Sequence, residues 1–297
     1  MQIIDLATIQ AAITPEAAFG AVRDSMVTLA AGGVNAPDEF AMHMESGGEI
    51  HIKGAHLRSS AWIAMKVAAG GFPEAPNAGC TLLVNATTGA PEVILDDNGW
   101  LTEMRTAAAG AIATDTLANV GPLRVAVLGS GIQARFQIEA LRARRPVESL
   151  TIWSRNSENA EALARTVDAT VAASVDEAVA NVDAVITCTS ARSPILHAVP
   201  EGTHITAMGS DVVGKRELGE AVLDAAAVIA ADEVEICARV GELQHAPGRV
   251  SAAVNLYDVV AGTATGRESA EAITVADLCG IGTYDAAIAG LVAERLL

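Results

Sequence analysis

Apolar positions fall into two regimes along the chain. Residues 1–118 are mixed in character. ITPEAAFGAVRDSMVTLAAG reads as a helix, with Thr14 as its cap and Gly32-Gly33 as its stop. Pro15 suits the first turn, where its missing N–H would have no helical partner anyway. Short strand-like runs follow: EIHIKGAHL, AWIAMKVAA, TLLVNATT and PEVILDD. Turn residues separate them at Ser46-Gly47-Gly48, Pro73, Pro76-Asn77 and Thr88-Gly89. LTEMRTAAAGAIATDTLA then reads as a helix with an alanine-rich face, ending near Asn119 with Gly121-Pro122 as the breaker.

From Leu123 strands alternate with helices. LRVAVLG is a short buried strand, Ile132–Arg144 a helix and SLTIWSR a strand; SENAEALARTV is a helix with Ser157 as its cap. DAVITCTS, THITAMGS and AAVIAAD are further strands. Parallel neighbours need a crossover, and helices supply it, so the alternation defines an α/β fold with a doubly wound parallel sheet. From about Ile273 a last segment carries the turn Gly280-Ile281-Gly282, and a closing helix, Tyr284–Leu297, follows. Two domains are expected, with a boundary near Gly121-Pro122.

Composition narrows the partners. Hydrophobic residues are 51% and charged residues 19%, enough for a sizeable core. The net charge of −17 and the absence of a basic run argue against nucleic acid and against anionic membrane surfaces. No apolar stretch is long enough for a membrane span, and the first residues lack the basic and apolar regions of a secretion signal, so a cytoplasmic protein is expected. Cys80, Cys188, Cys237 and Cys279 form no CxxC pair and read as small buried residues. No histidine pair has metal-ligand spacing, so no metal is expected. Only three lysines occur, Lys53, Lys66 and Lys215, and one of them interrupts the apolar run WIAMKVAAG.

The glycine turn Gly129-Ser130-Gly131-Ile132-Gln133-Ala134 follows a strand and opens a helix, which is the setting of a dinucleotide-binding loop. Gly129 permits the tight turn, Gly131 lets a pyrophosphate approach the backbone, and Ala134 allows close helix–strand packing. Ile132 and Gln133 offer N–H groups at the positive end of the helix. The second strand ends in Trp153-Ser154-Arg155-Asn156, with no acid to bind ribose hydroxyls. Ser154 and Arg155 suit a 2′-phosphate, which favours NADP(H), with NAD(H) as the alternative. Thr189 and Ser190, in Thr187-Cys188-Thr189-Ser190, sit at the carboxyl edge of the sheet and are candidate cofactor contacts. Asp211, after THITAMGS, is a candidate acid/base at the same edge, with a capping aspartate as the competing reading. Lys66 and Arg105 together would hold a carboxylate; a lysine reaching out to solvent is the competing reading.

LDDNGWLTEMRTAAAGAIATDTLA, VAVLGSGIQARFQIEAL, IWSRNSENAEALA and ITAMGSD, in this order and spacing, resemble the ornithine cyclodeaminase/mu-crystallin family over nearly the whole chain. The RTAAAGA helix followed by GSGIQA is the specific part, and DNGWLT is most similar to the branch of ectoine utilisation and iminosuccinate reduction. The resemblance implies a Rossmann-type domain over 121–276. It also implies a smaller α+β substrate-binding and dimerisation domain from 1–120 with 277–297, in a homodimer. It makes Lys66 and Arg105 the grip on the substrate carboxylate, with Arg105 also near cofactor phosphate. Gly129, Gly131, Gln133 and Ala134 become the dinucleotide loop, and Asp211 the acid/base. Two departures stand out. The stretch Ala36–His43 lacks an arginine that many members carry, so either Lys53 or Arg58 takes its place or the substrate is held differently. Cys279 stands where Thr or Ser often precedes the glycine.

The activity implied is NAD(P)H-dependent reduction of a small α-imino acid, or the reverse amino acid oxidation. Iminosuccinate and pyrroline-2-carboxylate are equally open as substrates, Lys53 near Lys66 suiting a second carboxylate. An ornithine-cyclodeaminase-type lyase with catalytic NAD is the alternative enzyme. A non-enzymatic NAD(P)-binding, mu-crystallin-like protein is the alternative of another class.

Overall fold

A computed structural model describes residues 1–45, 47–72 and 77–297; the turn signals at Ser46, Pro73 and Pro76 lie outside the described residues. Two units emerge, Met1–Ala108 with Ile281–Leu297, and Ala109–Gly280.

The first unit is built on a seven-stranded sheet. Gln2–Asp5 pairs parallel with Pro91–Asp96. Asn77–Asn85, Trp62–Gly70 and Glu49–Leu57 then follow antiparallel, and Val34–Asn35 and Phe40–His43 both pair with Glu49–Leu57. Strand alternation sorts the side chains onto two faces. Ala55, Ala64, Lys66, Leu83, Val93 and Leu95 are buried, while Met65 and Val67 are exposed. The helices Pro15–Ala30 and Gly282–Leu296 pack against each other and against this sheet. Thr14 caps the first of them by accepting from Ala17 N at 3.3 Å, with Pro15 in its first turn. The second begins hard against the sheet: a Cβ on Gly282 would lie 2.5 Å from the Gly54 carbonyl oxygen. Any other residue there would push the helix off the strand, so this glycine fixes where the helix's first turn sits.

The second unit carries an eight-stranded sheet, parallel throughout. Its order is Thr170–Val171, Val147–Trp153, Leu123–Leu128, Ala184–Thr187, His204–Ala207, Thr274–Asp277, Val228–Ala231 and Val254–Asn255. Chain order reverses between Leu123–Leu128 and Ala184–Thr187, which creates the switch point where such sheets bind ligands. The central strands are buried along their whole length, as sheets covered on both faces require. Leu128, Val185, Ile205, Ile229 and Val275 share one core cluster.

Three expectations are corrected in detail. The helix Ser157–Val167 is capped by Asn156, whose side chain accepts from Asn159 N at 3.2 Å, not by Ser157. The closing helix starts at Gly282 rather than Tyr284. The division between units falls at Ala108, inside the helix Trp100–Leu117, instead of at Gly121-Pro122. The reason is that the far half of this helix is bonded into the second unit. Thr114 and Thr206 hydroxyls meet at 3.0 Å, and the Leu117 carbonyl accepts from Thr274 at 3.0 Å and Arg267 at 2.7 Å.

Candidate active site

The first unit holds a buried pair of cations. Lys66 lies on the buried face of Trp62–Gly70 and is only 4% exposed, so it does not reach solvent. Arg105, in the helix Trp100–Leu117, is buried too. Both converge on one oxygen: Lys66 Nζ and Arg105 Nε each donate to Asp285 Oδ1 at 2.9 Å. Asp285 stands in the first turn of the closing helix, and its second oxygen is buried with no hydrogen-bond partner among the described residues. Burial pulls the Lys66 ammonium down to about 8, with Asp285 holding it up and Arg105 and Lys53 pressing it further down. Burial pushes Asp285 upward, but Arg105 and Lys66 outweigh it and keep the carboxyl below its ordinary value. Asp97 caps the arginine helix, accepting from Leu101 N at 2.7 Å, and burial pushes its carboxyl up to about 6.

Lys53 is the register partner of Lys66 on the neighbouring strand. Its ammonium lies 3.4 Å from Glu39, which also bonds His51. Arg58 is exposed at the strand end.

The second unit holds the glycine turn between Leu123–Leu128 and Ile132–Arg144. Gly129 has φ +137°, and a Cβ there would lie 2.7 Å from the Cys188 carbonyl oxygen. The turn is thus wedged against the strand end next to it. Gly131 caps the helix Ile132–Arg144 without a side chain, and a Cβ there would meet nothing within 4 Å. Open space above bare backbone at a helix N-terminus fits a pyrophosphate. Ile132 is exposed, Ala134 is fully buried against the sheet, and Gln133 accepts from Gln137 at 3.1 Å. Ser130 donates to Ser154 at 2.8 Å, which brings the glycine turn and the end of Val147–Trp153 together. Arg155 is exposed and makes no ion pair among the described residues.

At the carboxyl edge the organising residue is Glu217, which the sequence did not single out. It is fully buried in Arg216–Leu218. Oε1 accepts from Thr189 N at 2.6 Å and Thr189 Oγ1 at 2.7 Å; Oε2 accepts from Thr187 Oγ1 at 2.6 Å and Gly209 N at 2.8 Å. One carboxylate thereby cinches the ends of two adjacent strands. Further buried carboxylates extend the chain of contacts. Glu242 accepts from the backbone of Glu217 at 2.7 Å and Leu218 at 3.1 Å, and Asp277 from Glu242 N and Leu243 N at 2.9 Å each. Burial raises all three carboxyls, Glu242 to about 8 and Asp277 to about 7, with the donors opposing it. Ser190 is exposed. Asp211 is half-exposed and ion-paired to Lys215 at 2.6 Å.

Cys237 and Cys279 are buried as expected, but Cys80 and Cys188 are partly exposed. The two buried thiols meet at 3.2 Å, and Asp277 has a ligand atom within 4.8 Å of both, a grouping the sequence spacing did not suggest. Both Asp277 oxygens are already taken by backbone N–H groups.

A glycine turn wedged at the switch point of a parallel sheet defines a dinucleotide-binding α/β protein, and the other unit adds a buried cation pair. The chain belongs to the ornithine cyclodeaminase/mu-crystallin family, whose profile matches residues 2–297. An uncharacterized cyclodeaminase of Sinorhizobium fredii is 38% identical over 269 residues, 84% of this chain and 81% of that protein. An archaeal alanine dehydrogenase dimer with bound NAD superposes with a TM-score of 0.91 at 29% identity, covering 99% of this chain and 95% of that one. The iminosuccinate reductase of Paracoccus denitrificans in complex with NAD+ gives a TM-score of 0.90 at 28% identity, covering 99% and 96%.

Proposed function

We propose that this protein is an imine reductase that converts a small α-imino acid to the amino acid with a nicotinamide cofactor. The observation that carries this is the buried pair Lys66 and Arg105 on a single Asp285 oxygen. Two buried cations sharing one carboxylate leave that trio one net positive charge, which suits one substrate carboxylate. Arg105 is bonded through Nε, so its terminal nitrogens remain for a bidentate grip. A bound nicotinamide supplies the hydride. Lys66 and Arg105 orient the substrate by its carboxylate, and positioning of this kind is a large catalytic term. Asp211 stabilises the protonated imine or passes its proton through water. Gly129–Ala134 holds the pyrophosphate. Ser154 and Arg155 hold a 2′-phosphate, which makes NADPH the preferred donor. Thr189 and Ser190 line the cofactor.

The exposed sheet face of the first unit is covered by a second copy of the chain. Phe40, Ile52, Val67 and Cys80 are cross-strand neighbours in one row, and Ile3, Ile94, Leu82 and Met65 in another. Ile3 at 65%, Phe40 at 56% and Met65 at 44% exposure leave a broad apolar surface of the kind that marks an interface. The dimeric archaeal relative supports the same reading.

The test is oxidation of NADPH and NADH with pyrroline-2-carboxylate, piperideine-2-carboxylate, and oxaloacetate or pyruvate with ammonia or methylamine. Turnover with an imine, lost in Asp211→Ala, is expected. The 38% identical relative bears the name cyclodeaminase, which keeps a second reading in view. Ammonia release from ornithine with only catalytic NAD, and no net oxidation, would replace the reductase with that lyase.

A further inference from the structure

We infer that Asp285 is the positioning residue of the anion site, holding Lys66 and Arg105 as one preset pair of cations before any substrate arrives. The inference rests on reading that pair as the carboxylate grip, and goes beyond it by assigning what aims the grip.

Three features support it. Lys66 and Arg105 come from a strand and a helix that are far apart in sequence from the closing helix, and they share one acceptor atom at equal distances of 2.9 Å. The acceptor has little freedom. Aspartate is short, Asp285 is 2% exposed, and its helix start is pinned by Gly282 on Gly54. Finally, the groups facing Lys66 are otherwise unbalanced. Arg105 and Lys53 repel its charge, and Asp97, before the arginine helix, is itself pushed toward neutrality by burial. Asp285 is the counter-charge that touches it. A lysine so buried, without that carboxylate, loses its charge at lower pH and grips an anion less well.

An inert structural ion pair would look similar, so the test must read position and charge separately. The chain has three lysines, which makes lysine side-chain NMR tractable. Protein labelled with 13C at lysine Cε gives three titrating signals, with Lys66 assigned by its loss in Lys66→Arg. In wild type, Lys66 titrates far below an ordinary lysine. In Asp285→Asn its titration falls by about one pH unit or more. The alkaline limb of kcat/KM for the imino acid falls with it, and the loss at neutral pH of roughly tenfold or more lies in the imino acid KM. Asp285→Glu keeps the charge and moves it by one methylene. There the Lys66 titration holds while KM rises, and this variant decides the matter if Asp285→Asn does not fold. An unchanged Lys66 titration in Asp285→Asn, or an unchanged KM in Asp285→Glu, overturns the inference. If wild type reduces no imine yet Lys66 responds to Asp285→Asn as described, the substrate reading fails and Asp285 still governs the pair.

Discussion

Glu217→Gln is the sharpest test of how the carboxyl edge is held. Gln keeps the shape of the side chain but has one acceptor oxygen and one NH2. In the native structure each carboxylate oxygen takes one backbone N–H and one hydroxyl: Thr189 N with Thr189 Oγ1, and Gly209 N with Thr187 Oγ1. A hydroxyl can rotate and accept from the new NH2. A backbone N–H cannot. Whichever way the amide is turned, Thr189 N or Gly209 N faces an NH2 and loses its bond. A buried donor left unpaired costs about 1–3 kcal/mol. The bonds that survive lose their charge assistance, at about 0.5–1 kcal/mol each. The sum is a loss of roughly 3 kcal/mol, read as a lower urea midpoint at unchanged slope. Because the freed loops flank the glycine turn, NADPH affinity falls as well, by about tenfold for each 1.4 kcal/mol that reaches binding. A stability within about 0.5 kcal/mol of wild type would refute the reasoning, because it would mean a neutral side chain satisfies these donors equally well.

Other outcomes follow from the same geometry. Gly129→Ala forces a Cβ against the Cys188 carbonyl at a φ of +137°, so it lowers stability by about 2 kcal/mol or more, whereas Gly131→Ala leaves stability within about 0.5 kcal/mol and weakens only nucleotide binding. Calorimetry and NADPH titration on the two variants separate these effects. Burial raises Glu242 to about 8 and Asp277 to about 7 in the folded chain, so the native state binds protons that the unfolded state has released. That stability is fully present below the ordinary carboxylate range and is lost as pH rises through 7 and 8, at up to about 1.4 kcal/mol per pH unit for each group. Urea midpoints that rise from pH 6 to pH 8 would contradict it. Met65→Asp with Val67→Asp places charges on the exposed sheet face and yields a monomer by light scattering; a dimer that persists means the interface lies elsewhere.

Much of this was legible in the sequence because it depends on neighbours in the chain. Gly129-Ser130-Gly131 sits directly between its strand and its helix, and a lysine inside WIAMKVAAG is conspicuous where it stands. Asp285 was not legible as a partner. It lies 219 residues from Lys66 and 180 from Arg105, and locally it is one more acid in a helix's first turn. The available signal was an acid within the otherwise apolar TYDAAIAGL. Glu217 hid in GKREL, where it reads as a surface charge until Arg216–Leu218 is seen paired with Arg192–Leu196. Thr274–Asp277 is hard to see in the sequence because four residues ending in an acid carry little strand signal. In the sheet it is an interior strand between His204–Ala207 and Val228–Ala231. Asn156 and Ser157 are adjacent and both able to cap, so side-chain geometry alone chose between them.

The closing helix also sets an order of assembly. Domains fold as units as the chain emerges from the ribosome. Residues 109–280 are complete as a block before the helix bearing Asp285 has been made, whereas the first unit needs Ile281–Leu297 to finish. Until then Lys66 and Arg105 have no Asp285 to meet. The anion site is thus a ring closure within the first unit: its two cations come early in the chain, and their counter-charge comes only with Ile281–Leu297.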